Sequence, residues 1–172
     1  METALGVAIG IGLAAAAGFR VFVPLLVLSI AALTGHLHLS PPFEWAGTYP
    51  ALIAFATATA VEVGAYYVPW LDHLLDTVAT PLAVLAGVVA SAAVMTDLPG
   101  TLKWGLALIA GGGAAGVVQG ATVLARLKSS LATGGLANPL VATAELFGSV
   151  LTAVLALVIP VLVLLLVAAA CA

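Results

Sequence analysis

Charged residues are scarce in this sequence, and their scarcity argues against an ordinary water-soluble domain. Asp, Glu, Lys and Arg make up 6% of the 172 residues, against about a quarter in soluble proteins. Hydrophobic residues make up 64%, which leaves too few polar side chains to cover a surface in water. The composition therefore predicts a single integral membrane domain over residues 1–172, with the lipid bilayer around most of it.

Cysteine and runs of basic residues are also nearly absent. Cys171 is the only cysteine, so neither an internal disulfide nor a cysteine metal cluster is expected. The four Lys and Arg residues form no basic run that could neutralise a series of phosphates, and a nucleic-acid partner is therefore not expected. No Lys or Arg precedes the first apolar run, which lacks the basic region of a secretory signal and is expected to remain as a membrane segment.

Long apolar segments separated by short polar ones predict an all-α polytopic membrane helix bundle. The first and last segments are longer than the roughly 20 residues that cross a ~30 Å core. Pro24 and Pro160, with the glycines nearby, should therefore interrupt them. We expect about five spans with broken or re-entrant helices, namely Thr3–Leu33, Pro50–Val68, Pro81–Met95, Leu102–Ala125 and Pro139–Ala172.

Further helix signals lie between the second and third segments and in the last segment. In Pro69–Thr80 apolar residues recur at helical spacing, which predicts a short amphipathic helix. The pair Thr80 and Pro81 then predicts the start of a separate helix. In the last segment we expect a half-helix that holds Glu145, followed by a full crossing.

Small residues recur every four positions in two of the segments. Such stripes let helix backbones approach closely, and they predict that the first and fourth segments pack together as a glycine zipper. The stripes are Gly6, Gly10, Ala14 and Gly18 in the first segment, and Gly112, Gly116 and Gly120 in the fourth.

Basic residues give the expected orientation. Arg126 and Lys128 flank the one predicted loop with two bases, and this loop should be cytoplasmic. Five alternating crossings then place the N-terminus inside and the loop His36–Tyr49 outside. The first two segments run opposite to the last two, as in an inverted repeat with halves 1–95 and 99–172.

Three charged residues fall inside apolar segments, namely Arg20, Glu62 and Glu145. A charge at mid-bilayer costs about 2.5 to 3.5 kcal/mol on insertion scales, so each needs a partner or water. At about 1.5 Å per residue, Arg20 and Glu62 lie at similar depths near the midplane of a ~30 Å core. We therefore expect them to pair, with Glu145 as the rival partner of Arg20. Both a purely structural ion pair and a proton- or ion-coupled site fit this pattern.

Asp72, His73 and Asp76 lie together on the expected amphipathic helix. Carboxylates four residues apart repel unless one is protonated or a cation lies between them. Carboxylate and imidazole ligands suit divalent ions, so the trio is a candidate metal site, and it is equally explained as the wet face of an interfacial helix. The candidate polar site for transport comprises Arg20, Glu62, Asp72, Asp76 and Glu145.

Four stretches together resemble one protein family. They are GIGLAAAAGFRVFVPL (10–25), EVGAYYVPWLDHLLDTVATP (62–81), AG (86–87) and NPLVATAE (138–145). Through these stretches, nearly the whole chain resembles an uncharacterised family of small bacterial membrane proteins, domain of unknown function 4126. The resemblance implies a multi-pass protein of the bacterial cytoplasmic (inner) membrane and carries no established activity.

Catalytic motifs are missing from the sequence. It contains no G-x-S-x-G, no H-E-x-x-H and no phosphate-binding glycine loop, so we expect neither an enzyme nor a cofactor. The expected function is a small transporter, channel or lipid translocator that acts on a small solute, ion or lipid. The alternative is a structural or assembly subunit of a larger membrane complex, or a homo-oligomer, and an intramembrane enzyme is less favoured. A polar, water-accessible cavity around Arg20, Glu62 and Asp76 would favour transport. Full pairing of the charges and an outward glycine stripe would favour assembly.

Overall fold

The computed structural model describes residues 2–67 and 69–171, with side chains for all of them except 2, 69–77, 170 and 171. This part of the chain is helical or irregular and contains no strand, which confirms the all-α prediction. A 3-10 helix (Pro41–Gly47) follows the second α-helix, and a π-helical turn (Ala107–Gly111) joins the fifth to the sixth. The α-helices are α1 (Glu2–Phe19), α2 (Phe22–Leu33), α3 (Tyr49–Ala65), α4 (Pro69–Val94), α5 (Gly100–Leu106), α6 (Gly112–Thr133), α7 (Asn138–Val158) and α8 (Pro160–Cys171).

Helix α1 is the centre of the bundle and packs against α2, α4, α6, α7 and α8. Leu13, Ala14 and Ala16 are completely buried. A helix with small or apolar residues on every side can be surrounded in this way, because no side needs water. Serines tie α1 to two neighbours: Ser91 donates to the Gly10 carbonyl and Ser149 to the Ala16 carbonyl, both at 2.9 Å.

The glycine stripe of α1 packs mainly against α4. A Cβ on Gly10 would lie 3.0 Å from the Cα of Ser91 in α4. At Gly18 the stripe contacts α6, where a Cβ would lie 2.6 Å from the Ala115 carbonyl oxygen. The first and fourth segments do pack against each other, as predicted. The stripe of α6 faces α4, since a Cβ on Gly112 would lie 3.1 Å from Val88, so a zipper of the two stripes remains a prediction.

The first segment is interrupted next to the predicted proline. Helix α1 ends at Phe19 and α2 begins at Phe22, with Pro24 in its first turn. Pro24 has no N–H to donate to the carbonyl of Arg20 four residues earlier, so a continuous helix would lose a hydrogen bond there. The interruption is confirmed.

After this break α2 folds back beside α1. Gly6, near the start of α1, packs on Val94 at the end of α4. The chain beyond α2 returns to the same end, since the Ser40 N–H donates to the Ala93 carbonyl (2.8 Å) and its hydroxyl to the Ala92 carbonyl (3.1 Å). The prediction that the N-terminus and the loop after α2 face opposite sides is therefore wrong, because the first segment is a helical hairpin.

The last segment also breaks at its proline. Helix α7 ends at Val158 and α8 begins at Pro160, which confirms the predicted interruption. The order of the two pieces is the reverse of the prediction: α7, which holds Glu145, has 21 residues and α8 has 12. The longer helix comes first because Pro160 lies late in the segment. Helix α8 packs on α1, where Val163 contacts Gly12.

Helix α4 continues through Pro81, so the predicted helix start at Thr80 and Pro81 is wrong. Its 26 residues run from Pro69 to Val94 without interruption. Pro81 removes one backbone donor from this helix. That single loss does not end a helix whose second half packs along α1 and α6.

In the part of the chain that the structure describes, two helical stretches are long and apolar enough to cross a membrane. They are Gly100–Thr133, which includes α5, the π turn and α6, and Asn138–Val158. Shorter apolar helices of 10–17 residues account for much of the remainder, namely Thr3–Phe19, Phe22–Leu33, Tyr49–Ala65, Val78–Val94 and Pro160–Ala169.

Candidate functional site

Two arginines share one carboxylate where α1, α6 and α7 meet. Arg126 donates through Nε to Oε1 of Glu145 at 2.9 Å and through Nη2 to Oε2. Arg20 Nη2 lies 3.3 Å from the same Oε2 and donates to the Ala142 carbonyl at 2.7 Å. The two-pronged bond to Arg126 is the geometry in which arginine and carboxylate bind most strongly. We call Arg20, Arg126 and Glu145 the charge cluster.

The charge cluster is almost fully shielded from the surroundings of the protein. Arg20 is 2% exposed, Arg126 4% and Glu145 5%. In the described part of the chain, Nε and Nη1 of Arg20 have no hydrogen-bond partner. Unsatisfied buried donors cost about 1–3 kcal/mol, so pairing within the cluster is incomplete.

Tyr66 covers the charge cluster. The centroid of its ring lies 3.9 Å from Cζ of Arg20 and 4.1 Å from Cζ of Arg126. At these distances the ring attracts both guanidinium groups through its π electrons. Tyr66 is itself buried, and it therefore separates the arginines from the space on its other side.

Glu62 binds the start of α2 and forms no ion pair with Arg20. Its Oε1 accepts the N–H of Val21 at 2.8 Å, and its Oε2 accepts the N–H of Phe22 at 3.1 Å. The first N–H groups of a helix have no partner inside the helix and carry partial positive charge, so a carboxylate is favoured there.

The predicted pair of Arg20 and Glu62 is replaced by Arg20 with Glu145. That prediction rests on the similar depths of Arg20 and Glu62 along their segments. Glu62 does lie near Arg20, because it binds the break that follows Arg20. The break itself decides the partner, because it exposes two backbone donors that take up the Glu62 carboxylate.

Arg126 is the member of the cluster that the sequence reasoning missed. The predicted fourth segment stops at Ala125, one residue before Arg126. In the structure α6 continues to Thr133 and ends at Gly134, whose φ of 62° is typical of a helix C-terminus. A signal was present in the sequence, since Gln119, Thr122 and Arg126 lie at i, i+3 and i+7 and form one buried polar face.

Asp72, His73 and Asp76 lie outside the described side chains. The backbone there belongs to α4, and the metal site remains a prediction. Among the described side chains, no group of three His, Cys, Asp or Glu residues comes close enough together to hold a metal ion.

A cleft of about 710 Å³ lies between the start of α2, α3 and α4. Its wall includes the buried Glu62 and Tyr66 as well as Val61 and Val78, which are 65% and 51% exposed. Because exposed and buried side chains line the same space, the cleft leads from the protein surface to the tyrosine that covers the charge cluster.

The fold and the site define an all-helical protein with two membrane-length helices and a buried cluster of two arginines and a glutamate. The chain belongs to the family described as Domain of unknown function (DUF4126), which matches residues 7–172. No curated protein and no solved structure matches the chain.

Proposed function

We propose that this chain is a multi-pass protein of the bacterial cytoplasmic membrane that transports an amphiphilic small molecule through the cleft between α3 and α4. The observation that carries the proposal is the cleft itself. It joins the apolar outer surface to Glu62 and to Tyr66, which covers the charge cluster.

The exposed apolar surface supports a membrane location. Only 39% of the most apolar stretch in Gly100–Thr133 is buried, and 28% of that in Asn138–Val158. The core helix of a soluble protein hides most of its apolar surface. Here large side chains such as Ile109 (77% exposed) and Phe147 (71% exposed) point outward, and lipid is the solvent that accommodates them.

The position of α3 supports entry from the bilayer. This helix packs chiefly against α2 and only slightly against α4, and Ala51 and Glu62 are its buried residues. A cleft between α3 and α4 thus opens sideways, where an amphiphile dissolved in lipid can reach it. Ionisable groups deep in a membrane protein are costly and mark pathways for polar groups.

Blocking the cleft tests the proposal. Ala58 lines the cleft, whereas Ala60 on the same helix is exposed and does not line it. Ala58→Trp should fill the space, and Ala60→Trp adds the same bulk outside it. The purified protein is reconstituted in vesicles, and uptake of ethidium, of anilinonaphthalene sulfonate and of a fluorescent phosphatidylcholine is followed.

We expect the wild-type protein to accelerate uptake of a small amphiphile over empty vesicles. Ala58→Trp should lower that rate about tenfold or more, while Ala60→Trp keeps it, because only the first narrows the path. Equal rates in the two variants, or no acceleration of any probe, would contradict transport through the cleft. Acceleration of the phospholipid alone would make the protein a lipid translocator.

A structural subunit of a larger complex is the second candidate. It is favoured by the outer face of α6, where a Cβ on Gly113 or Gly120 would meet no atom within 4 Å. Helix backbones approach closely at such positions in membranes. Gly113→Leu should then reduce the mass of the particle extracted in mild detergent, and an unchanged mass would contradict assembly through this face.

A further inference from the structure

We propose that the cleft between α3 and α4 is a binding site for a lipophilic cation, with the cationic group at the Glu62 carboxylate. This inference rests on the proposed function and adds the charge of the transported molecule. It is carried by the chemistry of the residues that line the cleft.

Glu62 gives the cleft its charge. Among the described residues that line the space, it is the only Asp, Glu, Lys, Arg or His. Tyr66 and Thr57 are the polar uncharged ones, and the others are apolar. A ligand complementary to this wall has an apolar body and one positive charge.

The carboxylate of Glu62 can still accept bonds from a ligand. Val21 and Phe22 each donate one N–H to it, one to each oxygen. Each carboxylate oxygen has two lone pairs, so an acceptor position remains on both. Val21 and Phe22 also line the cleft, and Glu62 itself is 6% exposed, so its carboxylate lies just behind the apolar wall of the cleft.

No arginine neutralises Glu62 by direct pairing. The ion pair of Arg20 is with Glu145, and Arg126 binds the same carboxylate. Both guanidinium groups lie against the Tyr66 ring and are absent from the cleft lining.

The volume of the cleft fits an organic ion. Sites for drug-sized ligands range from about 300 to 1,000 Å³ and are mostly apolar with a few placed polar groups. The cleft measures about 710 Å³. A compact lipophilic cation can therefore bury its body against α3 and α4 while its charge is near Glu62.

Two ions of the same shape and opposite charge test the inference. Tetraphenylphosphonium and tetraphenylborate differ in the sign of the charge and little else. Their binding to the wild-type protein in lipid nanodiscs is measured by equilibrium dialysis. Binding in the cleft is the part of the total that is lost in Ala58→Trp and retained in Ala60→Trp. We expect the phosphonium to bind in the cleft about tenfold tighter or better, because the interaction of two unit charges at low dielectric exceeds the 1.4 kcal/mol of a tenfold change.

Glu62→Gln isolates the carboxylate. It should weaken phosphonium binding about tenfold and leave borate binding equal or stronger, since it removes the charge and keeps the size. Thr57→Lys, which places a cation in the cleft and leaves Glu62 intact, should have the same effect if Glu62→Gln does not fold. The comparison of the two ions on the wild-type protein requires neither Glu62→Gln nor Thr57→Lys.

The outcomes separate this inference from the proposed function. If the borate binds in the cleft as tightly as the phosphonium, the preference for a cation is overturned. The proposed transport of an amphiphile through the cleft is unaffected by that result. Phosphonium binding that Glu62→Gln and Thr57→Lys leave unchanged also overturns the cation. If neither ion binds in the cleft, the inference is overturned. The proposed function is still supported in that case if Ala58→Trp blocks uptake into vesicles.

Discussion

At the residue scale, the sharing of Glu145 by two arginines sets how the buried charges depend on each other. Glu145 contacts Arg126 through both of its oxygens and Arg20 through one. Removing one partner of a buried ion pair costs about 3–5 kcal/mol, because the remaining charge loses its compensation. The glutamate has two such partners, so it should be the least replaceable of the three.

Double-mutant cycles on unfolding in detergent measure this dependence. The coupling free energy should be largest for Arg126 with Glu145, smaller for Arg20 with Glu145, and smallest for Arg20 with Glu62, whose bonds go to the backbone of Val21 and Phe22. Glu44→Ala is the control, because Glu44 is an exposed acid. The arrangement is refuted if Arg20 couples more strongly to Glu62 than to Glu145.

The sequence identifies most of these residues and misassigns their partners. Arg20, Glu62 and Glu145 are recognised because they are charges inside apolar segments, and all three are buried. Arg126 was missed because it follows the apolar stretch of its helix. Depth gives the height of a residue along its helix, but the partner depends on how the chain folds back at the Arg20 break, and no local pattern contains that information.

At the element scale, the close approach of α1 to its neighbours depends on glycine. A Cβ on Gly18 would lie 2.6 Å both from the Ala115 carbonyl oxygen and from Val118 Cβ, and a backbone atom cannot move aside cheaply. Gly18 therefore allows a close contact between helices, whereas Pro24 and Pro160 mark interruptions of the chain.

Two Gly→Ala substitutions test this contact. Gly18→Ala should destabilise the protein by about 1–3 kcal/mol, as overpacking in a core does. Gly113→Ala in α6, where the new Cβ meets no atom within 4 Å, should be neutral or stabilise by up to about 1 kcal/mol through helix propensity. Thermal unfolding in detergent compares them, and an equal effect of both would show that Gly18 is not in a close contact.

Helix ends were predictable where proline marks them. The interruptions near Pro24 and Pro160 are confirmed, because a missing N–H acts locally and can be recognised in sequence. Pro81 carries the same local signal and lies inside α4, where packing of the helix outweighs it. The direction of the chain after a break is a property of the whole bundle, which is why the hairpin of α1 and α2 was not foreseen.

At the scale of the whole molecule, the two ends of the bundle are well separated. The start of α1, the loop after α2 and the end of α4 meet at one end. From Gly111, which lies beside Ser91 near that end, α6 runs to Thr133, a distance of about 33 Å at 1.5 Å per residue. This length matches a ~30 Å membrane core. The expected inverted repeat of residues 1–95 and 99–172 remains a prediction.

The central claim is that these helices cross a bilayer, because the cleft leads to a transport site only if lipid surrounds it. Labelling of single cysteines by a membrane-impermeant maleimide, in a Cys171→Ser background, tests it directly. The positions are Glu44 and Asp97 at one end and Leu136 at the other, all exposed.

The basic residues near the end of α6 favour the cytoplasm for Leu136. Glu44→Cys and Asp97→Cys should therefore be labelled in intact cells, and Leu136→Cys only after the membrane is permeabilised. Labelling of all three from the same face, or of Glu44→Cys and Asp97→Cys from opposite faces, would contradict the account.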